Sequence, residues 1–158
     1  MAGPLKSGLT KPKVSLATKH FAIVVARWNE EITEALYEAA IASLIENGVP
    51  RKNIIRKNVP GSFELSLGGL LMAEKKNINA VICLGCVIQG ETPHFDYICQ
   101  AVAYGITQAS LMTRKPVVFG VLTTRTKQQA LDRAGGRFGN KGEEAALTAL
   151  EMLGWGKG

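Results

Sequence analysis

The sequence predicts an α/β fold: a parallel sheet covered by helices on both faces. Two observations carry this. Four strand-like segments alternate with helix-like segments along the 158 residues, the order that builds parallel sheets through right-handed crossovers. Three of the four strand segments are near-continuous runs rich in Val and Ile, as expected of strands buried on both faces.

After a Gly-, Pro- and Lys-rich start, read as a flexible or extended arm over residues 1–12, Phe21 to Arg27 is an apolar run ending at Trp28-Asn29 and suits a buried strand. Asn29 is placed to cap a helix, since Glu30 and Glu31 complement the positive end of a helix dipole. Ile32, Leu36, Ala40 and Leu44 then recur at helical spacing until Gly48 and Pro50 stop the run. Ile54 to Val59 is the second strand, Pro60-Gly61-Ser62 a turn, and Phe63 to Lys76 a helix weakened by Gly68-Gly69. Ala80 to Ile88 is the third strand and Gln89 to Thr92 a tight polar loop. Pro93 opens a helix to about Thr113, because proline is favoured at a first helical position. Pro116 to Leu122 is the fourth strand, followed by a helix from about Thr126 to Ala134, a Gly-rich break and a last helix from Glu143 to Leu153.

Composition narrows the function classes. With 46% hydrophobic and 20% charged residues the chain is of globular type. Its length suits one domain, taken as residues 13–158. No apolar run approaches the roughly 20 residues of a membrane span, and no apolar core follows the N-terminal lysines, so the expectation is a cytoplasmic protein with no membrane partner. The net charge of +6 suits an anionic partner. Its positive residues are scattered and lack interleaved aromatics, which argues against nucleic acid and leaves a phosphorylated metabolite. Cys83 and Cys86 have C-x-x-C spacing, but residues three apart on a strand face opposite ways and cannot easily share a metal. With only His20 and His94 as imidazoles, no metal site is expected. The glycines from Gly135 to Gly142 lack the strand and the Gly-Lys-Ser/Thr of a phosphate loop, and no G-x-G-x-x-G follows the first strand.

In a parallel α/β sheet, ligands bind outside the carboxyl ends of the strands. That directs attention to Trp28-Asn29, Gly61 to Glu64, Gln89 to His94 and the residues after Leu122. The loop Gly90-Glu91-Thr92-Pro93-His94 is the most informative, because unpaired N–H groups at a helix start attract an anion. Thr92 is placed as N-cap. His94, in the first turn, feels a dipole that favours its neutral form, available as a base. Trp28 either stacks on a flat ring or covers the core, and Glu64 either complements a helix dipole or accepts hydrogen bonds from a ligand.

Five blocks together carry a resemblance: Ala26-Arg27-Trp28-Asn29, Val59-Pro60-Gly61-Ser62-Phe63-Glu64-Leu65, Leu84 to Asp96, Pro116 to Thr123, and Arg133 to Gly142. In order and spacing, from about Lys13 to Leu153, the chain resembles lumazine synthases. The resemblance implies a three-layer, flavodoxin-like sandwich with a four-stranded parallel sheet. It further implies a cofactor-free transferase of riboflavin biosynthesis that condenses 5-amino-6-ribitylamino-pyrimidinedione with 3,4-dihydroxy-2-butanone 4-phosphate, giving 6,7-dimethyl-8-ribityllumazine, phosphate and water.

By the same resemblance, the pyrimidinedione meets Trp28, Asn29, Ser62, Phe63, Glu64, Val87 and Ile88, with Phe119 supplied by an adjacent subunit. The ketose phosphate meets Gly90, Glu91 and Thr92, with Arg133 from that neighbour. The Glu91 side chain must point away from a phosphate, leaving its N–H to contribute. His94 is the proton shuttle and Lys141 a second basic group near the reaction. Two departures stand out: Gln89 replaces a common arginine, and Trp28 a commoner phenylalanine, whose larger face is expected to strengthen stacking enough to retain product or riboflavin. The partners implied are the two substrates, further copies forming pentamers, and riboflavin synthase. The lack of an insertion in Gly135 to Gly142 favours a closed shell of about sixty subunits over a free pentamer. Two rival readings, a non-catalytic flavin-binding or shell-forming relative and a nucleic-acid binder, rest respectively on fold alone and on net charge alone.

Overall fold

A computed structural model describes residues 14–155. The expected arm over residues 1–12 lies outside them, as do residue 13 and the last three. Strand β1 (Phe21–Ala26) leads through α1 (Glu30–Glu46) to β2 (Ile54–Val59), and α2 (Leu65–Ala73) leads to β3 (Ala80–Ile88). Next come α3 (His94–Thr113), β4 (Val117–Thr124), the short α4 (Lys127–Leu131), a hairpin of β5 (Ala134–Gly136) and β6 (Gly139–Asn140), and α5 (Lys141–Leu153). The main sheet is four-stranded and parallel, in the order β2-β1-β3-β4.

The alternation along the strands divides the core in two. Phe21, Ile23 and Val25 of β1, with Ile82, Leu84 and Cys86 of β3, pack under α1 and α5. Ala22, Val24 and Ala26, with Val81 and Cys83, pack under α2 and α3. Every residue of β1 is buried, so this strand reads as a solid apolar run. Burying each of its larger side chains contributes about 1.5–3 kcal/mol before entropy is counted. Cys83 and Cys86 fall into opposite cores, as their strand spacing predicts. Burial pushes their thiols up to about 12 and about 11.

The edge strand β2 is more polar and half-exposed. It is tied to α1 by Arg56, whose guanidinium forks onto the Glu34 carboxylate and lies 4.4 Å from the Tyr37 ring centre. The Arg56 hydrogen bond holds the Glu34 carboxyl below its usual range. Gly68-Gly69, expected to weaken α2, instead let it lie close on the sheet: a Cβ at Gly69 would meet Cys83 Sγ at 2.9 Å.

Several boundaries differ from the sequence reading. The helix expected from Phe63 to Lys76 begins with a 3-10 turn at Ser62–Glu64 and ends at Ala73. The fourth strand runs on to Thr124. The helix expected from Thr126 to Ala134 spans only Lys127–Leu131: Thr126 Oγ1 accepts from Gln129 N and fixes its start, and after Leu131 the chain turns into the hairpin. The last helix starts at Lys141, with Asn140 Oδ1 accepting from Gly142 N. Gly142 sits hard against α1, where any Cβ would lie 1.9 Å from the Leu36 carbonyl oxygen.

Candidate functional site

A cleft of about 770 Å³ opens at the carboxyl ends of β1 and β3, where the parallel-sheet rule places ligands. Its first wall follows β1. Arg27 N and Trp28 N donate to the carbonyls of Val59 and Pro60, continuing the ladder beyond the strand, and Trp28 projects with 74% of its surface exposed. Asn29 takes a left-handed conformation, φ 60° and ψ 47°, which asparagine tolerates better than most residues. Its expected side-chain cap is not made. The Nδ2 donates instead to the Cys86 carbonyl at 2.9 Å, locking the turn to the end of β3, while its own carbonyl accepts from Ile32 N and Thr33 N.

The second wall is the turn Gly61 to Glu64. Glu64 Oε2 accepts from Gly61 N at 2.9 Å and closes the turn, which fixes Phe63 with 54% of its surface exposed. Ser62 is buried, and among the described residues its Oγ has no hydrogen-bond partner. A buried hydroxyl without a partner costs free energy unless a ligand or water meets it. Gly85 makes room for this hydroxyl: a Cβ there would lie 2.6 Å from Ser62 Oγ.

The third wall is the end of β3 and the start of α3. Val87, Ile88, Gly90, Thr92 and His94 line the cleft; Glu91 is exposed and does not. The cap of α3 is Pro93, so Thr92 stands one residue ahead of its expected place. The helix N–H groups still face this loop. His94 is the first helical residue and is exposed. Phe95 and Ile98 add an apolar floor that sequence reasoning missed, although their i, i+3 spacing on a helix following His94 signals a shared face.

The remaining expected residues stand apart. Phe119 on β4 and Lys141 at the head of α5 line a second cleft of about 720 Å³, shared with Arg114, Lys115 and Trp155. Lys141 Nζ bonds Glu144 Oε2 at 2.9 Å. Arg133 lines neither cleft, and its Nη1 donates to the Gln129 carbonyl at 2.9 Å. The backbone joins Arg133 to Lys141, whose N donates to the Arg133 carbonyl at 2.9 Å. A single chain thus groups Trp28, Asn29, Ser62, Phe63, Glu64, Val87, Ile88, Gly90, Thr92 and His94, and leaves Phe119, Arg133 and Lys141 elsewhere. Among the described residues no cluster of three or more His, Cys, Asp or Glu is placed to hold a metal ion, and no helix is long and apolar enough to cross a membrane.

Residues 18–156 match the family model described as 6,7-dimethyl-8-ribityllumazine synthase. The chain belongs to this family. Proteins named 6,7-dimethyl-8-ribityllumazine synthase resemble it closely. One from Cytophaga hutchinsonii is 65% identical over 139 residues, covering 88% of this chain and 87% of that protein. Another from Parabacteroides distasonis is 57% identical over 131 residues, 83% and 82% of the two chains. A third from Porphyromonas gingivalis is 56% identical over 132 residues, 84% and 82%. Membership in the lumazine synthase family makes the chain a transferase of riboflavin biosynthesis, and the four-stranded parallel sheet between helix layers is the fold that the resemblance implied.

Proposed function

We propose that the cleft binds 5-amino-6-ribitylamino-pyrimidinedione and 3,4-dihydroxy-2-butanone 4-phosphate and joins them into 6,7-dimethyl-8-ribityllumazine, releasing phosphate and water. The observation that carries this is the meeting, in one cleft, of an exposed indole, an unpartnered buried hydroxyl and an imidazole at a helix start. The flat ring stacks on Trp28. Its polar edges and ribityl chain meet Asn29, Ser62, Phe63, Glu64 and the Val87-Ile88 backbone, which pairs with β4 on one side and on the other extends past the last residue of β3 paired with β1, Leu84.

The phosphate sits at the head of α3, against Gly90, Thr92 and the Glu91 N–H, with Arg133 completing the cradle. A helix start and an arginine fork both suit a phosphate. The amine of the pyrimidinedione attacks the ketone, and the resulting carbinolamine loses the ketone oxygen as water to give an imine. Elimination of phosphate, tautomerisation, ring closure and loss of water follow. His94 carries protons between these steps and Lys141 is the second basic group; proton transfer of this kind contributes about 10²- to 10⁴-fold. Holding two substrates in register supplies the rest, and no cofactor is required by this chemistry.

Phe119, Arg133 and Lys141 stand away from the cleft of their own chain, which supports a site completed by a second copy. The assembly proposed is a pentamer, closing further into a shell of about sixty subunits, located in the cytoplasm, with riboflavin synthase as its partner. The described residues, 14–155, are read as one domain.

The test is formation of the lumazine product, followed by absorbance, when purified protein meets both substrates without added metal or nucleotide. Turnover that falls sharply in His94→Ala and in Arg133→Ala supports the enzyme and both roles. No turnover above the spontaneous reaction, with riboflavin still bound, would make the chain a binding or shell-forming relative.

A further inference from the structure

The hairpin between α4 and α5 carries a side-chain arrangement that neither fills a core nor lines a cleft. Phe138 N donates to the Asp132 carbonyl at 2.8 Å, and Lys141 N to the Arg133 carbonyl at 2.9 Å, so the chain folds residue 138 back over residues 132 and 133. Two guanidinium groups lie on the Phe138 ring: Arg133 Cζ is 4.8 Å and Arg137 Cζ 4.6 Å from its centre. Two like charges on one ring repel. Asp132 offsets this, its Oδ2 accepting from Arg137 Nε at 3.1 Å, so Arg137 is neutralised and Arg133 is not.

Arg133 is therefore held at two points. Nη1 donates to the Gln129 carbonyl, and the Phe138 ring lies under the planar group. Among the described residues its other donors make no hydrogen bond, which leaves one edge of the fork to give to an anion. A free arginine side chain carries large rotamer freedom that binding must freeze, and prior immobilisation lowers that cost.

We propose that Phe138 is a positioning residue for the phosphorylated substrate: its ring fixes the Arg133 guanidinium in the plane in which the fork meets the phosphate. This rests on the reading of Arg133 as a phosphate ligand. The ring acts on one substrate only. Its loss weakens the ketose phosphate and leaves the pyrimidinedione unaffected, because the ring touches the group read as the phosphate's arginine and lines no part of the cleft around Trp28 where the flat ring stacks.

The experiment compares the unaltered protein with Phe138→Leu, Phe138→Tyr and Arg133→Ala. It measures KM for each substrate, kcat, the inhibition constant of inorganic phosphate, and the melting temperature. A cation over an aromatic face at an exposed site is worth about a two- to fivefold change in affinity. Phe138→Leu should raise the KM of the ketose phosphate and the phosphate inhibition constant by that factor, with kcat, the other KM and the melting temperature held; Phe138→Tyr should restore both. If Phe138→Leu changes neither while Arg133→Ala weakens both, the positioning role is overturned and the reading of Arg133 stands. If Arg133→Ala also changes neither, that reading falls and the proposal with it. Equal losses for both substrates together with a lowered melting temperature would show a structural role only and overturn the proposal.

Discussion

Two regions of this chain carry the residues assigned to one reaction, and they are built in different ways. Around Trp28 and His94, the loops grow from the ends of adjacent parallel strands, and backbone ladders and the Asn29 tie to Cys86 hold them in a common cleft. Around Arg133 and Lys141, a hairpin and a helix head are held by long-range seats on α1: Asn140 Nδ2 donates to the Ala35 carbonyl, and Gly142 lies against Leu36. The first region is a concave surface lined by loops from three neighbouring strands. The second is a set of cationic groups presented without a cleft that contains them all. One region forms a receptacle and the other supplies groups to a receptacle, which is the division expected if each site is shared between two copies.

The largest effect that could break this comparison is complementation. His94→Ala and Arg133→Ala chains each should lose activity, the first by about 10²-fold or more. If the two regions meet across a subunit boundary, unfolding and refolding an equal mixture should restore about a quarter of the sites, since that share pairs two intact halves. If both regions serve the same chain's site, mixing restores nothing. A smaller effect tests the second region alone. Gly142→Ala places a carbon against backbone that cannot yield, and should destabilise the protein by about 1–3 kcal/mol or more, read from urea unfolding. A loss under a few tenths of a kcal/mol would show that the seat on α1 adjusts freely.

Trp28→Ala sharpens the first region. Stacking of this kind is worth about 0.5–1.5 kcal/mol, so pyrimidinedione binding should weaken roughly two- to tenfold while the inhibition constant of inorganic phosphate stays put. Riboflavin should quench the fluorescence of the unaltered protein, and Trp28→Phe should remove most of that quenching, leaving Trp155 as background. The smallest effect concerns the core beneath α2. Burial raises the Cys83 thiol to about 12, whereas the unfolded thiol ionises near ~8.5. The native state therefore keeps a proton that the unfolded chain gives up. Stability is intact below ~8.5 and falls as pH rises from there towards 12, by about 0.8 kcal/mol at pH 9. Urea midpoints at pH 7, 8 and 9 should show this, and Cys83→Ala should remove its share of the slope.

The strands were legible because their punctuation is local. Ile54–Val59 and Ala80–Ile88 have the limits that their flanking turns and polar residues suggest. The cleft was legible for a related reason: once the sheet is known to be parallel, all strand ends point the same way, and Trp28, Ser62 and His94 must gather at one end. The region from Thr126 to Lys141 was not. A helical pattern continues into Asp132 and Arg133, whereas the chain turns back at Gly135, bonds locally to the Asp132 and Arg133 carbonyls, and is seated by contacts about a hundred residues distant, to Ala35 and Leu36. Asn29 shows the same limit at one residue. Asparagine suits both a helix cap and a left-handed turn, and the Cys86 carbonyl, far along the chain, selects the second.

Helix α1 begins at Glu30, directly after Trp28 and Asn29, and about two turns later offers the Ala35 and Leu36 carbonyls on which Asn140 and Gly142 rest. One stretch of screw thread thus joins the two regions. Inserting a single residue between Asn29 and Ala35 would turn that seat by about 100° and advance it by about 1.5 Å, swinging Arg133 and Lys141 away from their present bearing relative to Trp28. The length of α1 should therefore be fixed to the residue over its first two turns.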